Sequence, residues 1–126
     1  MKKKKLVFVL GIRPDIIRAV LIMRYLEKAK DIDVIFIWSG QHYSDNLKGI
    51  FFREFQLKKP DYELGCRGET DVEIAGELIK KLYPLLEKIK PDAVVFLGDS
   101  NTTAGCISPA MLNIPIVHIE GCWHSY

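Results

Sequence analysis

Four short apolar runs punctuate the chain, at residues 6–10, 34–38, 93–97 and 114–119, the last interrupted by Pro115. Their apolar residues are consecutive rather than alternating, the pattern of strands covered on both faces in a parallel sheet. Between the first two runs, Ile16, Ala19, Val20, Met23 and Leu26 recur at the spacing of a helix with one buried face, and Pro14 suits its first turn. A second helix is expected over 70–90, where Ala75, Leu78, Ile79, Leu82, Leu86 and Ile89 repeat that spacing. Thr70 with Glu73 three residues on is a capping-box signature, whereas Pro84 removes a backbone donor and predicts a kink or split there. A third helix is expected over 102–112, bent or weakened by Pro109 and ending at Asn113. The least regular stretch is 39–68, with a short helix expected at 51–55 and a turn at 58–61.

Strands alternating with helices, without a repeat or low-complexity segment, predict an α/β fold: a Rossmann-like parallel sheet with flanking helices, one domain over 1–126. With 126 residues, 48% hydrophobic and 27% charged, one core suffices. A domain of this size buries roughly two-thirds of its unfolded surface, so neither disulfides nor a structural metal is required. Cys66, Cys106 and Cys122 are odd in number and lack CxxC spacing, which predicts reduced thiols in a cytoplasmic protein and no metal site. The net charge of +2 depends on four consecutive lysines at 2–5, without which the chain is slightly acidic. Only seven residues separate them from Arg13-Pro14, and no small-residue cleavage site follows. This reads as the solvated flank of a buried strand rather than a signal peptide or a nucleic-acid arm. No apolar run has the length to cross a bilayer, so neither membrane nor nucleic acid is an expected partner.

In an open parallel sheet, ligands gather beyond the carboxyl ends of the strands. The residues after the four runs are polar: Gly11-Ile12-Arg13-Pro14-Asp15, Ser39-Gly40-Gln41-His42, Gly98-Asp99-Ser100-Asn101-Thr102-Thr103 and Glu120-Gly121-Cys122. Gly11 permits close backbone approach, and Arg13 at a helix start adds a forked cation to free N–H groups, which suits an anion. There is no GxGxxG or GxxxxGK[ST], and no hydrolase-triad or zinc-protease pattern. Asp99 reads either as the N-cap of the following helix or as a functional carboxylate. Glu120 ends an apolar strand and needs a partner or a purpose. His118, two residues earlier and on the same face, reads as a hydrogen-bonded core histidine. Asp99 and Glu120 together form a candidate pair for proton transfer, and His42 is either a third titratable group or a loop hydrogen-bonder.

Gly11-Ile12-Arg13-Pro14-Asp15, Ser39-Gly40-Gln41-His42, Lys90-Pro91-Asp92, Gly98-Asp99-Ser100-Asn101-Thr102 and His118-Ile119-Glu120-Gly121 occur in the order and spacing of one family. The chain resembles the amino-terminal half of the non-hydrolysing UDP-N-acetylglucosamine 2-epimerases, whose usual forms are G-T-R-P-E, T-G-Q-H, G-D-T-x-[ST] and H-V-E-A-G. Two departures stand out: Arg18 where the family commonly has Lys, and Gly121-Cys122-Trp123-His124 in place of Ala-Gly-Leu-Arg.

The resemblance implies a two-domain fold of the glycosyltransferase-B kind, of which this chain is the first domain, incomplete, with the carboxy-terminal UDP-binding domain absent. It implies interconversion at C2 of UDP-GlcNAc and UDP-ManNAc, or of a related nucleotide sugar for polysaccharide biosynthesis, by elimination and re-addition of UDP, with no cofactor. By position, Asp99 and Glu120 would be the catalytic carboxylates, and Arg13, Arg18, Gln41 and His42 would bind substrate, Arg13 at the diphosphate. A homo-oligomer and a missing or separately encoded second domain are the expected partners, and the half-cleft by itself is expected to be inactive. The alternatives are the hydrolysing UDP-GlcNAc 2-epimerase and a non-catalytic nucleotide-sugar-binding or regulatory half-domain.

Overall fold

The structure, a computed structural model, describes residues 3–11, 13–40, 59–97 and 101–119, at 13–18, 20 and 101–103 by backbone alone. The strands are β1 (Lys4–Leu10), β2 (Ile32–Trp38), β3 (Tyr62–Glu63), β4 (Ala93–Leu97) and β5 (Ile116–Ile119). The helices are α1 (Arg13–Glu27), α2 (Asp71–Ile89) and α3 (Ile107–Met111), the last preceded by a 3-10 turn at Asn101–Cys106. All five strands are parallel, in the order β3-β2-β1-β4-β5. The expected Rossmann-like sheet with flanking helices is the one observed.

The apolar runs become strands because each has two faces to cover. Phe8, Leu10, Val34, Phe36, Trp38, Val95 and Leu97 pack with Ala19 and Met23 of α1 on one face. Val7, Val9, Ile37, Val94 and Phe96 pack with Leu78, Leu82, Leu86 and Ile89 of α2 on the other. Each such side chain, fully buried, contributes about 1.5–3 kcal/mol. A one-residue slip of β1 would exchange the two sets, so these cores fix the register, with Phe8 opposite both Phe36 and Val95.

The α2 cap forms as expected on one side: Thr70 Oγ1 accepts from the Glu73 N–H at 3.2 Å. Glu73 reaches back one residue further than a capping box requires, accepting from the Glu69 N–H at 2.8 Å. Lys90 closes the helix in the left-handed region (φ 52°), its N–H bonded to the Leu86 carbonyl. Pro84 does not split α2. It lies on the exposed side, as does Lys80, whose carbonyl loses its helical donor and faces a side where water can replace it. The third helix is shorter than expected, because 101–106 tightens into a 3-10 turn. Pro109 sits in the first turn of α3, where its missing donor costs nothing, and so helps start the helix instead of bending it. The buried Ser108 hydroxyl donates to the Ile79 carbonyl at 2.9 Å, tying α3 to α2. Gly105 packs so closely that a Cβ would lie 2.9 Å from Leu78 Cδ2.

Two sequence readings change here. The strand expected over 114–119 begins at Ile116, because Pro115 supplies only its carbonyl, to the Val94 N–H at 3.0 Å. His118 is exposed on β5 and not a core histidine, since β5 forms the outer edge of the described sheet. The short helix expected at 51–55 lies outside the described residues.

Candidate functional site at the carboxyl edge of the sheet

Parallel strands bring all the carboxyl ends to one edge. The chain runs outward from β1 to β2 and β3, then returns to the other side of β1 for β4 and β5, so the strand order reverses between β1 and β4. That reversal opens a crevice where the two outward-running connections part, the usual ligand position in such sheets. β1 and β4 end beside it, and α1 starts after β1 at Arg13 with Pro14 in its first turn. In the first turn of this 15-residue helix the N–H groups of Arg13, Asp15 and Ile16 have no intrahelical partner, Pro14 having none to offer, which makes this end favourable for an anion.

On the β2 side the ladder continues past the strands. The Ser39 N–H donates to the Leu10 carbonyl at 2.8 Å, the Leu64 N–H to Trp38 at 2.8 Å, and the Cys66 N–H to Ser39 at 2.9 Å. The Gly65 N–H donates to the Gly40 carbonyl at 3.1 Å. A Cβ on Gly40 would stand 3.2 Å from Trp38 Nε1 and 3.6 Å from the Gly11 carbonyl. The ends of the β1 and β2 loops therefore meet through two residues without side chains, leaving backbone exposed to whatever binds there. Lys81 of α2 buttresses the next loop, its Nζ donating to the Leu64 and Gly65 carbonyls at 3.0 and 3.4 Å and lying 3.9 Å from Glu77. Burial pushes the Cys66 thiol above the ordinary 9.0, with Lys81 opposing and Glu77 reinforcing the shift. Burial likewise raises Cys106.

On the other side of the crevice, β4 and β5 are hydrogen-bonded neighbours with Leu97 opposite Ile119. Asp99 follows Leu97 by two residues and Glu120 follows Ile119 by one. Arg13 and Arg18 lie on α1, the first at its opening residue, and their side chains are outside the described part. Gln41, His42, Asp99 and Glu120 lie outside the described residues altogether. Sequence reasoning missed β3 and the Lys81 buttress: two residues are too few for a periodic signal, and only Pro60-Asp61 before it and Gly65 after it marked the place. Two cavities, of about 310 and 280 Å³, sit at the opposite end of the sheet, around Pro91 and around Lys3, Lys4 and Lys5, away from this crevice.

The family profile for UDP-N-acetylglucosamine 2-epimerase matches residues 24–126. The chain belongs to this family. The UDP-N-acetylglucosamine 2-epimerase of Methanocaldococcus jannaschii is 41% identical over 123 residues, which are 97% of this chain and 33% of that protein. The UDP-2,3-diacetamido-2,3-dideoxy-D-glucuronate 2-epimerase of Pseudomonas aeruginosa is 32% identical, over 97% of this chain and 35% of that protein. The crystal structure of the M. jannaschii UDP-GlcNAc 2-epimerase in complex with UDP-GlcNAc and UDP superposes with a TM-score of 0.82 at 42% identity, covering 92% of this chain and 32% of that one. The chain thus spans about a third of the length of the 2-epimerases it matches. The sheet and helices described above are the Rossmann-like part of the glycosyltransferase-B-like fold that these epimerases share.

Proposed function

We propose that the chain supplies the amino-terminal half of a nucleotide-sugar 2-epimerase active site, working on UDP-GlcNAc and UDP-ManNAc or a close relative without a cofactor. The observation that carries this is the in-register pairing of Leu97 with Ile119, which makes the strands leading to Asp99 and Glu120 nearest neighbours at the edge where the sheet order reverses. Two carboxylates fed from adjacent strand ends suit the removal of a proton from one face of C2 and its return on the other. Loss of the C2 proton and cleavage of the bond from C1 to the diphosphate oxygen give a glycal and UDP. Re-addition of UDP at C1 with protonation of the opposite C2 face gives the epimer.

Arg13, on the free N–H groups that open α1, is assigned to the diphosphate, whose charge grows as the C1 bond breaks. Arg18, Gln41 and His42 are assigned to substrate binding beside it. The neighbouring Gly11 and Gly40 leave room for the pyrophosphate to approach backbone. A second domain completes the cleft and excludes water, the active form is a homo-oligomer, and the enzyme is cytoplasmic. Among the described residues, no helix is long and apolar enough to cross a membrane.

Half a cleft does not hold UDP in the geometry that elimination demands. Proton NMR of UDP-GlcNAc incubated with the chain should show UDP-ManNAc at trace levels at most. Co-expression with the remaining two-thirds of the family length should raise that signal by orders of magnitude. Equal turnover with and without that remainder would contradict the half-site reading.

A further inference from the structure

The segment that follows β3 is tied to the segment that leaves β2 by three hydrogen bonds, Leu64 donating to Trp38, Cys66 to Ser39 and Gly65 to Gly40. Gly65 makes its bond from the left-handed region (φ 61°), which glycine enters without strain. Because β3 is the edge of the described sheet, no further described strand donates to the carbonyls of Leu64 and Gly65. Lys81 does so from α2, its Nζ lying 3.0 and 3.4 Å from them. A charged donor makes a stronger hydrogen bond than a neutral one. Leu78 and Leu82 of the same helix are buried, so the ammonium fastens the loop to an element seated in the core. Glu77, one turn earlier and 3.9 Å from Nζ, draws the ammonium along that face of α2.

The fastening reaches the carboxyl edge of the sheet. Gly40 accepts from Gly65 and comes so near the β1 loop that a Cβ on it would lie 3.6 Å from the Gly11 carbonyl, and Gln41 and His42 are the next residues in the chain. Groups that bind substrate from a loop act well only when the loop is held to within about 0.5 Å. We infer that Lys81 is a positioning residue of the nucleotide-sugar site: through the Leu64 and Gly65 carbonyls it sets the place of Gly40, and so of the backbone from which Gln41 and His42 bind the UDP-sugar. The inference rests on the proposed assignment of those two residues to substrate binding. In this role Lys81 acts through the loop and not on substrate. A strap that only stabilised the fold would change melting and leave substrate affinity alone, whereas a positioning residue changes affinity in a molecule that is still folded.

The test compares wild type with Lys81→Met, which keeps an unbranched stem but cannot donate, and Lys81→Arg, which keeps the charge and the donors. In the chain alone, the Gly65 amide should exchange at least about tenfold faster in Lys81→Met than in wild type, with unchanged circular dichroism. In the chain co-expressed with the remaining two-thirds of the epimerase length, Lys81→Met should raise the KM for UDP-GlcNAc about tenfold with kcat within about threefold of wild type, and Lys81→Arg should recover most of that KM. Should Lys81→Met fail to fold, Lys81→Gln, a shorter and uncharged donor, takes its place in both assays with the same direction expected. A lower melting temperature with unchanged KM, a raised KM that Lys81→Arg does not lower, or an unchanged Gly65 exchange rate would overturn the inference. Absence of turnover in the wild-type pair would count against the epimerase reading, while Gly65 exchange, measured without substrate, would still decide whether Lys81 holds this loop.

Discussion

Lys5 and Asp92 hold each other by two hydrogen bonds across the amino ends of β1 and β4. The Lys5 N–H donates to Asp92 Oδ2 at 2.7 Å, and the Asp92 N–H donates to the Lys5 carbonyl at 2.9 Å. The same pair of bonds recurs at the β2–β3 junction, where the Phe36 N–H donates to Asp61 Oδ2 at 2.8 Å and the Asp61 N–H to the Phe36 carbonyl at 2.7 Å. Both aspartates follow Lys-Pro. A proline that cannot join the ladder, followed by an aspartate whose carboxylate takes the next free N–H, starts each strand at a fixed register.

Asp92→Ala should therefore destabilise the chain by about 1 kcal/mol, the usual net value of a hydrogen bond lost at a partly solvated site. Asp92→Asn should cost less, because its amide oxygen still accepts. Urea unfolding of the two variants gives the comparison, and equal midpoints for alanine and wild type would remove the register role.

Thr70→Ala should cost about 1 kcal/mol through loss of the α2 cap, while Thr70→Ser should be nearly neutral. Thermal melts distinguish these outcomes.

Gly40→Ala places a methyl against the Trp38 indole and near the Gly11 carbonyl. The Trp38 Nε1–H resonance should shift, and stability should fall by about 1–3 kcal/mol if the ring has to move. An unchanged indole signal would show that the two glycine loops have slack.

The Cys66 thiol is held above 9.0 by burial, so the folded state keeps its proton to higher pH than the unfolded state does. Its contribution to stability is complete below pH 9.0 and is lost as pH rises from there through the folded value. Unfolding free energy should fall more steeply above pH 9 in wild type than in Cys66→Ala, as guanidinium titrations across pH 8–10.5 would show.

The strands buried on both faces were legible because runs such as Val94-Val95-Phe96-Leu97 are short, continuous, rich in β-branched and aromatic residues and alternate with helical segments, and α1 and α2 because their apolar residues repeat at helical spacing. Tyr62-Glu63 carried no such signal: its place is set by Asp61 and the Lys81 buttress, contacts made with residues far away in sequence. Pro84 misled because its effect depends on which side of the helix it occupies, and Pro109 because its effect depends on where the helix begins. The edge at which the candidate site gathers followed from chain order alone. The neighbourhood of the strands leading to Asp99 and Glu120 did not, since register is a tertiary property.

Deuterium incorporation at C2 of UDP-GlcNAc in deuterated water tests the central claim most directly, using the chain co-expressed with the remaining two-thirds of the epimerase length. Wild type should exchange the C2 proton, and Asp99→Asn and Glu120→Gln should each abolish exchange with the fold intact, because an amide keeps the shape but cannot take the proton. Asn caps a helix about as well as Asp, so an Asp99 that is only a cap would leave Asp99→Asn at wild-type rate. Wild-type exchange in both amide variants would contradict the assignment of these two carboxylates to proton transfer.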